Sequence, residues 1–154
     1  MSNKCGHFVS AEESISHVKE LLSEFNIETN KLNKILYIIE MHDNKDTSEQ
    51  IPIELKILQD ADTLDALGKR GLMRTLKYCK DKNIPIYNAN YSLNYDQYIP
   101  NINPISTTHY VYRTMLPKAK YLKTKTAQKI AENQTKILTK FVNKNIKKYD
   151  LIIE

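Results

Sequence analysis

Three carboxylates on one helical run dominate the chemistry this sequence could support. Asp60, Asp62 and Asp65 lie in "IELKILQDADTLDALG", where Ile57, Leu58, Ala61, Leu64 and Leu67 recur at helical spacing. An unpaired carboxylate is expensive to remove from water. Acids on an apolar face are therefore expected to be paired, metal-bound or protonated. At about 100° per residue, Ile57, Ala61, Leu64 and Gly68 form the centre of the apolar arc. Asp65 falls inside that arc, and Asp62 and Asp60 fall at opposite edges. Spacing alone admits two readings equally. One is a salt-bridge network, with Lys56 four residues before Asp60 and Lys69 four after Asp65. The other is a metal or phosphate centre. His42, at the end of an apolar stripe, is likewise open between a hydrogen-bonded helix-end residue and a ligand.

Helices must position these groups. Ser10 and Glu13 have capping-box spacing, and Val18, Leu21, Leu22 and Phe25 extend a helix from about Ala11 to Phe25. Leu32, Ile35, Leu36 and Ile39 form a second, ending near Met41. Residues 42–52 read as a polar loop, and Pro52 opens the aspartate helix. Gly68 and Gly71 mark a junction, after which an apolar stripe continues to about Cys79. Residues 83–106, rich in Asn, Tyr and Pro, read as an extended loop or lid. Ser106 is placed to cap a short helix carrying His109, Tyr112 and Arg113. A last helix, broken or continuous, over about Lys118–Lys148 has Ala127, Ile130, Ile137, Leu138 and Phe141 inward and lysines outward. The expected fold is all-α, in one domain of 154 residues.

Composition narrows the function classes. No apolar run is long enough for a membrane span, and no signal peptide is evident. Cys5 and Cys79 have no metal or redox spacing, which points to a cytoplasmic protein. Net charge is +5, but residues 1–65 carry 6 basic against 13 acidic side chains, and residues 66–154 carry 17 against 5. The basic half is suited to phosphate-bearing ligands. Nucleic acid is an unlikely partner on this evidence, since no recognised motif accompanies the charge.

The run Gln59-Asp60-Ala61-Asp62-Thr63-Leu64-Asp65-Ala66-Leu67-Gly68, followed by Gly71 and Arg74-Thr75, resembles a small branch of the HD phosphohydrolase superfamily. The helix ending at His42, the pair His109-Tyr110 and "TKTAQKIAENQ" at 124–134 extend the resemblance over about residues 10–145. Thr63 and Gln134 stand where the branch usually has arginine. The resemblance implies an HD-domain-like helical bundle and a divalent metal (Mn, Mg or Fe) held by His…His-Asp…Asp. Its last ligand maps to Asp62, although wheel geometry favours Asp65. Asp62 and Asp65 are the implied catalytic groups, and His42, Arg74, His109 and Arg113 the implied substrate contacts.

The family's first histidine and its His-Asp doublet are expected upstream of the helix near Ala11, and no such doublet occurs there. His42-Asp43 stands in the position of a downstream histidine, and His7 is a mobile N-terminal residue on this reading. The expectation is therefore a bundle lacking its first helices. Its metal site is incomplete, with metal binding weak or absent and hydrolysis weak or lost in this chain alone. The alternative is a non-catalytic phosphate- or nucleotide-binding protein, with Arg74, Arg113 and Lys118 holding the anion. Absent helices would leave apolar surface open, implying a homo-oligomer or a complementing segment.

Overall fold

The computed structural model describes residues 11–43, 50–93 and 104–150. Ser10, His7 and residues 94–103 of the expected lid lie outside these residues. The described chain is helical, without strands: α1 (Ala11–Ser23), α2 (Thr29–Met41), α3 (Ile53–Ala66), α4 (Gly68–Asp81), α5 (Thr107–Tyr110), α6 (Leu116–Lys118) and α7 (Lys125–Asp150). A π-helical turn over Val111–Met115 joins α5 to α6, and a 3-10 turn over Ala119–Tyr121 follows α6. Two compact units divide between Gln59 and Asp60, within α3.

In the first unit, α1 packs on α2, and Leu36, Ile51 and Leu55 are buried. Lys34 Nζ meets Glu54 Oε1 at 2.6 Å, and Gln59 Nε2 donates to the Met41 carbonyl at 3.0 Å. These two contacts fasten the start of α3 to α2. The Lys34 hydrogen bond holds the Glu54 carboxyl below its usual range.

The second unit contains the larger core. Leu67, Leu72, Val111, Met115, Leu122 and Leu138 are buried together with Ala127, Ala131 and Val142. Small alanines on one side of α7 let it approach α4 closely. At the α3–α4 junction, Leu67 is extended and Gly68 has φ +66°, a conformation costly for residues with a Cβ. A Cβ on Gly71 would lie 2.0 Å from the Ala66 carbonyl oxygen, so only glycine lets α4 double back over the end of α3. The other end of α4 closes with Asn83 at φ 55°. Ile84 N–H donates to the Cys79 carbonyl and Asn83 N–H to that of Lys80, a Schellman arrangement in which Asn takes the left-handed position.

The π turn before α6 has a local cause. Pro117 lacks an amide donor, and its ring would press on the Arg113 carbonyl in a regular helix. Widening the preceding turn relieves that clash and leaves Arg113 exposed.

Two expected faces are corrected. On α3 the buried residues are Leu55 and Asp60, and Leu67 beyond its end is also buried. Ile57 is 55 % exposed and Leu58 39 %, and Ala61 is exposed as well. Apolar residues occur almost all round this helix, so periodicity does not select its buried side. On α7, Ala127 and Leu138 are buried, but Ile130 and Ile137 are 47 % and 42 % exposed, because the small-residue row faces the core.

Candidate functional site

The three aspartates have three different environments. Asp60 is 3 % exposed. Its carboxylate accepts from the backbone N–H groups of Lys123 and Thr124, both at 2.8 Å, and from Thr124 Oγ at 2.7 Å. Thr124 Oγ in turn accepts from Ala127 N–H at 3.3 Å. The first amides of a helix have no intrahelical acceptor; Thr124 caps α7 through Ala127 N–H, and Asp60 fixes Thr124 and the residue before it in that position. An anion there also meets the positive end of the helix dipole.

Asp65 belongs to an ion-pair cluster on the partly exposed side of α3. Arg74 Nη1 donates to Asp65 Oδ2 at 2.5 Å, and Arg74 Nη2 donates to the Asp65 carbonyl at 2.8 Å. Arg70 lies 3.7 Å from Asp65 Oδ1. The Arg74 hydrogen bond, reinforced by the charges of Arg74 and Arg70, keeps the Asp65 carboxyl below its ordinary value of 3.8.

Asp62 is exposed on α3. It makes no hydrogen bond or ion pair among the described residues. The electrostatic partners of the other two acids are thus not those their spacing suggested: backbone amides serve Asp60, and two arginines of the next helix serve Asp65.

His109 occupies a second polar centre. Ser106, Thr107, Thr108 and His109 are all buried, at the start of α5. Ser106 caps this helix as expected, accepting from His109 N–H at 3.3 Å. Thr107 and Thr108 N–H donate to the carbonyls of Pro85 and Ile86, both at 2.9 Å, and their hydroxyls donate to the same two carbonyls. His109 Nδ1 lies 2.7 Å from Ser106 Oγ, and Nε2 lies 3.0 Å from the Tyr91 carbonyl. A carbonyl can only accept, so Nε2 carries the proton and Nδ1 accepts from the serine hydroxyl. Tyr87 stacks on the imidazole at 5.8 Å between ring centroids. The first part of the expected lid is therefore pinned to α5, and its stretch over 94–103 lies outside the described residues.

His42 caps the C-terminus of α2. Its Nδ1 meets the Ile39 carbonyl at 2.6 Å, and its Nε2 lies 3.3 Å from Asp43. Arg113 is exposed and makes no ion pair among the described residues. Of the residues nominated from sequence, the structure joins Asp65 to Arg74. Among the described residues no hydrogen bond or ion pair links Asp62, His109 or Arg113 to that pair.

Arg70 and the Asp60–Thr124 cap were missed. Thr124 three residues before Ala127 is a cap signal, but nothing local ties it to Asp60. Gln134 lies against Gly68, and its buried Oε1 has no hydrogen-bond partner among the described residues. Nor does any group of three His, Cys, Asp or Glu converge there to hold a metal ion.

No family model matches the chain, and no curated relative does. Solved structures do. An HD-superfamily hydrolase from Bacillus thuringiensis aligns with a TM-score of 0.69 and 26 % identity, over 90 % of this chain and 64 % of that one. A protein from Listeria innocua gives 0.70 and 29 %, over 92 % and 68 %. Bacillus subtilis YpgQ in complex with ADP gives 0.64 and 21 %, over 95 % and 67 %. The fold is that of HD-superfamily hydrolase-like proteins. The chain spans 64 % and 63 % of the first two structures it matches. No helix among the described residues is long and apolar enough to cross a membrane.

Proposed function

We propose that this chain is an HD-superfamily phosphohydrolase-like protein whose metal-ligand set is incomplete, so that it is weak or inactive as a hydrolase by itself. The observation that carries this reading is the division of labour on α3. Asp60 and Asp65 are engaged, whereas Asp62 is exposed with no partner among the described residues. Asp62 is also the position that the family motif assigns to the metal. When bound, a divalent ion would polarise a phosphate ester and acidify a water. Asp62 would contribute one ligand, with Asp65 and Arg74 as the neighbouring charged pair.

A second reading is a non-catalytic binder of a phosphorylated small molecule or nucleotide. The likeness to an ADP-containing structure favours it, as do the cationic groups Arg74, Arg113 and Lys118. His42 and His109 are each engaged by backbone or hydroxyl groups, so their contact with substrate would require those bonds to exchange.

The test measures Mn²⁺, Mg²⁺ and Fe²⁺ affinity, phosphate release from a generic ester and thermal stabilisation by ADP, on wild type and Asp62→Ala. Weak Asp62-dependent metal binding without turnover is expected. Asp62-dependent turnover would overturn the incomplete-site reading. Stabilisation by ADP without phosphate release would establish the binding reading.

A further inference from the structure

α7 presents a cationic array that the proposed site does not use. Lys125, Lys129, Lys136, Lys140, Lys144 and Lys147 recur at steps of 3, 4 or 7 residues, which places them along one side of the helix. All six are exposed, and none makes an ion pair among the described residues. Opposite them, Ala127, Ala131, Leu138 and Val142 are buried in the core, so the array is held facing solvent. From Lys125 to Lys147 it extends about 33 Å. Glu132 and Asp150 are the helix's acidic residues, against seven lysines. Like charges one turn apart repel, and a bound polyanion would relieve that repulsion.

We propose that this face of α7 binds nucleic acid through its phosphodiester backbone, without reading sequence. A length of about 33 Å spans about ten phosphates of one strand of a duplex. Thr139 and Asn143 lie among Lys136, Lys140, Lys144 and Lys147 as further donors to phosphate oxygens. This surface belongs to one helix alone, which suits an extended ligand better than a single nucleotide. An anionic membrane surface fits less well, since surface-bound helices insert an apolar face and Ala127, Ala131, Leu138 and Val142 of α7 are buried in the core. The absence of a recognised motif counted against nucleic acid in the sequence; the exposed array, with no ion pair among the described residues, is the observation in its favour.

The test is fluorescence anisotropy with labelled single-stranded and duplex oligonucleotides of about 20 units, with polyglutamate as competitor, across a salt series. Lys136→Glu/Lys140→Glu/Lys144→Glu is compared with Lys19→Glu/Lys31→Glu/Lys82→Glu, which changes net charge equally elsewhere. The α7 variant is expected to bind at least about tenfold more weakly at low salt, with a log–log salt slope shallower by about 3. The control variant should lose much less. The single-strand and duplex arms identify which form the face prefers. No binding by wild type at low salt, equal loss in both variants, or equally tight binding of polyglutamate would overturn the proposal.

Discussion

The start of α5 and the aspartate stretch of α3 are equally polar on paper, yet they end in opposite states. Around Ser106–His109, the amides and hydroxyls described and both imidazole nitrogens find a partner, and all four residues are buried. Along α3, one acid is buried and capped, one is half-exposed and paired with arginine, and one is exposed with no described partner. A polar cluster whose members satisfy one another is architecture. A carboxylate left over after its neighbours are satisfied is where ligand chemistry has room.

The largest expected effect tests the architectural side. Asp60→Asn keeps the shape but replaces the charge and two acceptor oxygens with one oxygen and an amide. At least one of the Lys123 amide, the Thr124 amide and the Thr124 hydroxyl then loses its acceptor in a buried site. We expect a loss of about 3 kcal/mol in urea unfolding. A loss below about 1 kcal/mol would mean that Thr124 alone suffices as the cap. His109→Ala comes next, at about 2 kcal/mol, from the lost hydrogen bonds to the Tyr91 carbonyl and the Ser106 hydroxyl and the space vacated beside Tyr87. Hydrogen exchange should show the amides of Thr107 and Thr108 losing protection at the same time; unchanged protection would show that the segment is held on α5 without His109.

Arg74→Met probes the exposed pair and should cost less than either change. Its signature is pH dependence. Arg74 lowers the Asp65 pKa, so its stabilisation is present above the ordinary value of 3.8 and is lost as pH falls through the lower folded value. The stability difference between wild type and the variant should therefore be largest near neutrality and shrink in acid, and a difference growing in acid would reverse the assignment. The smallest effect is expected for Asp62→Ala: an unfolding midpoint within error of wild type in metal-free buffer. A clearly destabilised variant would show that Asp62 is also architectural, and the comparison with α5 would collapse.

Much of the helical layout was legible in the sequence. The glycine junction follows from residue types that tolerate few alternatives, and Gly71 against the Ala66 carbonyl explains why. Ser106 announced its cap through hydrogen-bonding chemistry that is local along the chain. The turn at Asn83 was visible only as a change of composition, and its left-handed geometry came from the structure.

Face selection was not legible where apolar residues surround a helix. The wheel placed Ile57 and Ala61 at the centre of the buried arc of α3, and packing buried Leu55 and Asp60 instead. The same holds for Ile130 and Ile137 on α7, one step round from the alanine row that enters the core. The aspartate motif drew attention to one stretch of chain, but residue types and spacing could not divide its labour. Capping amides at Lys123 and Thr124 lie more than sixty residues from Asp60, and no local rule reaches that far. Sequence by itself determined that this chain is helical, carries three aspartates on one helix and concentrates positive charge in its second half. Tertiary structure alone decided which acid is capped, which is paired and which stays open, because burial and hydrogen-bond satisfaction depend on neighbours that only folding brings together.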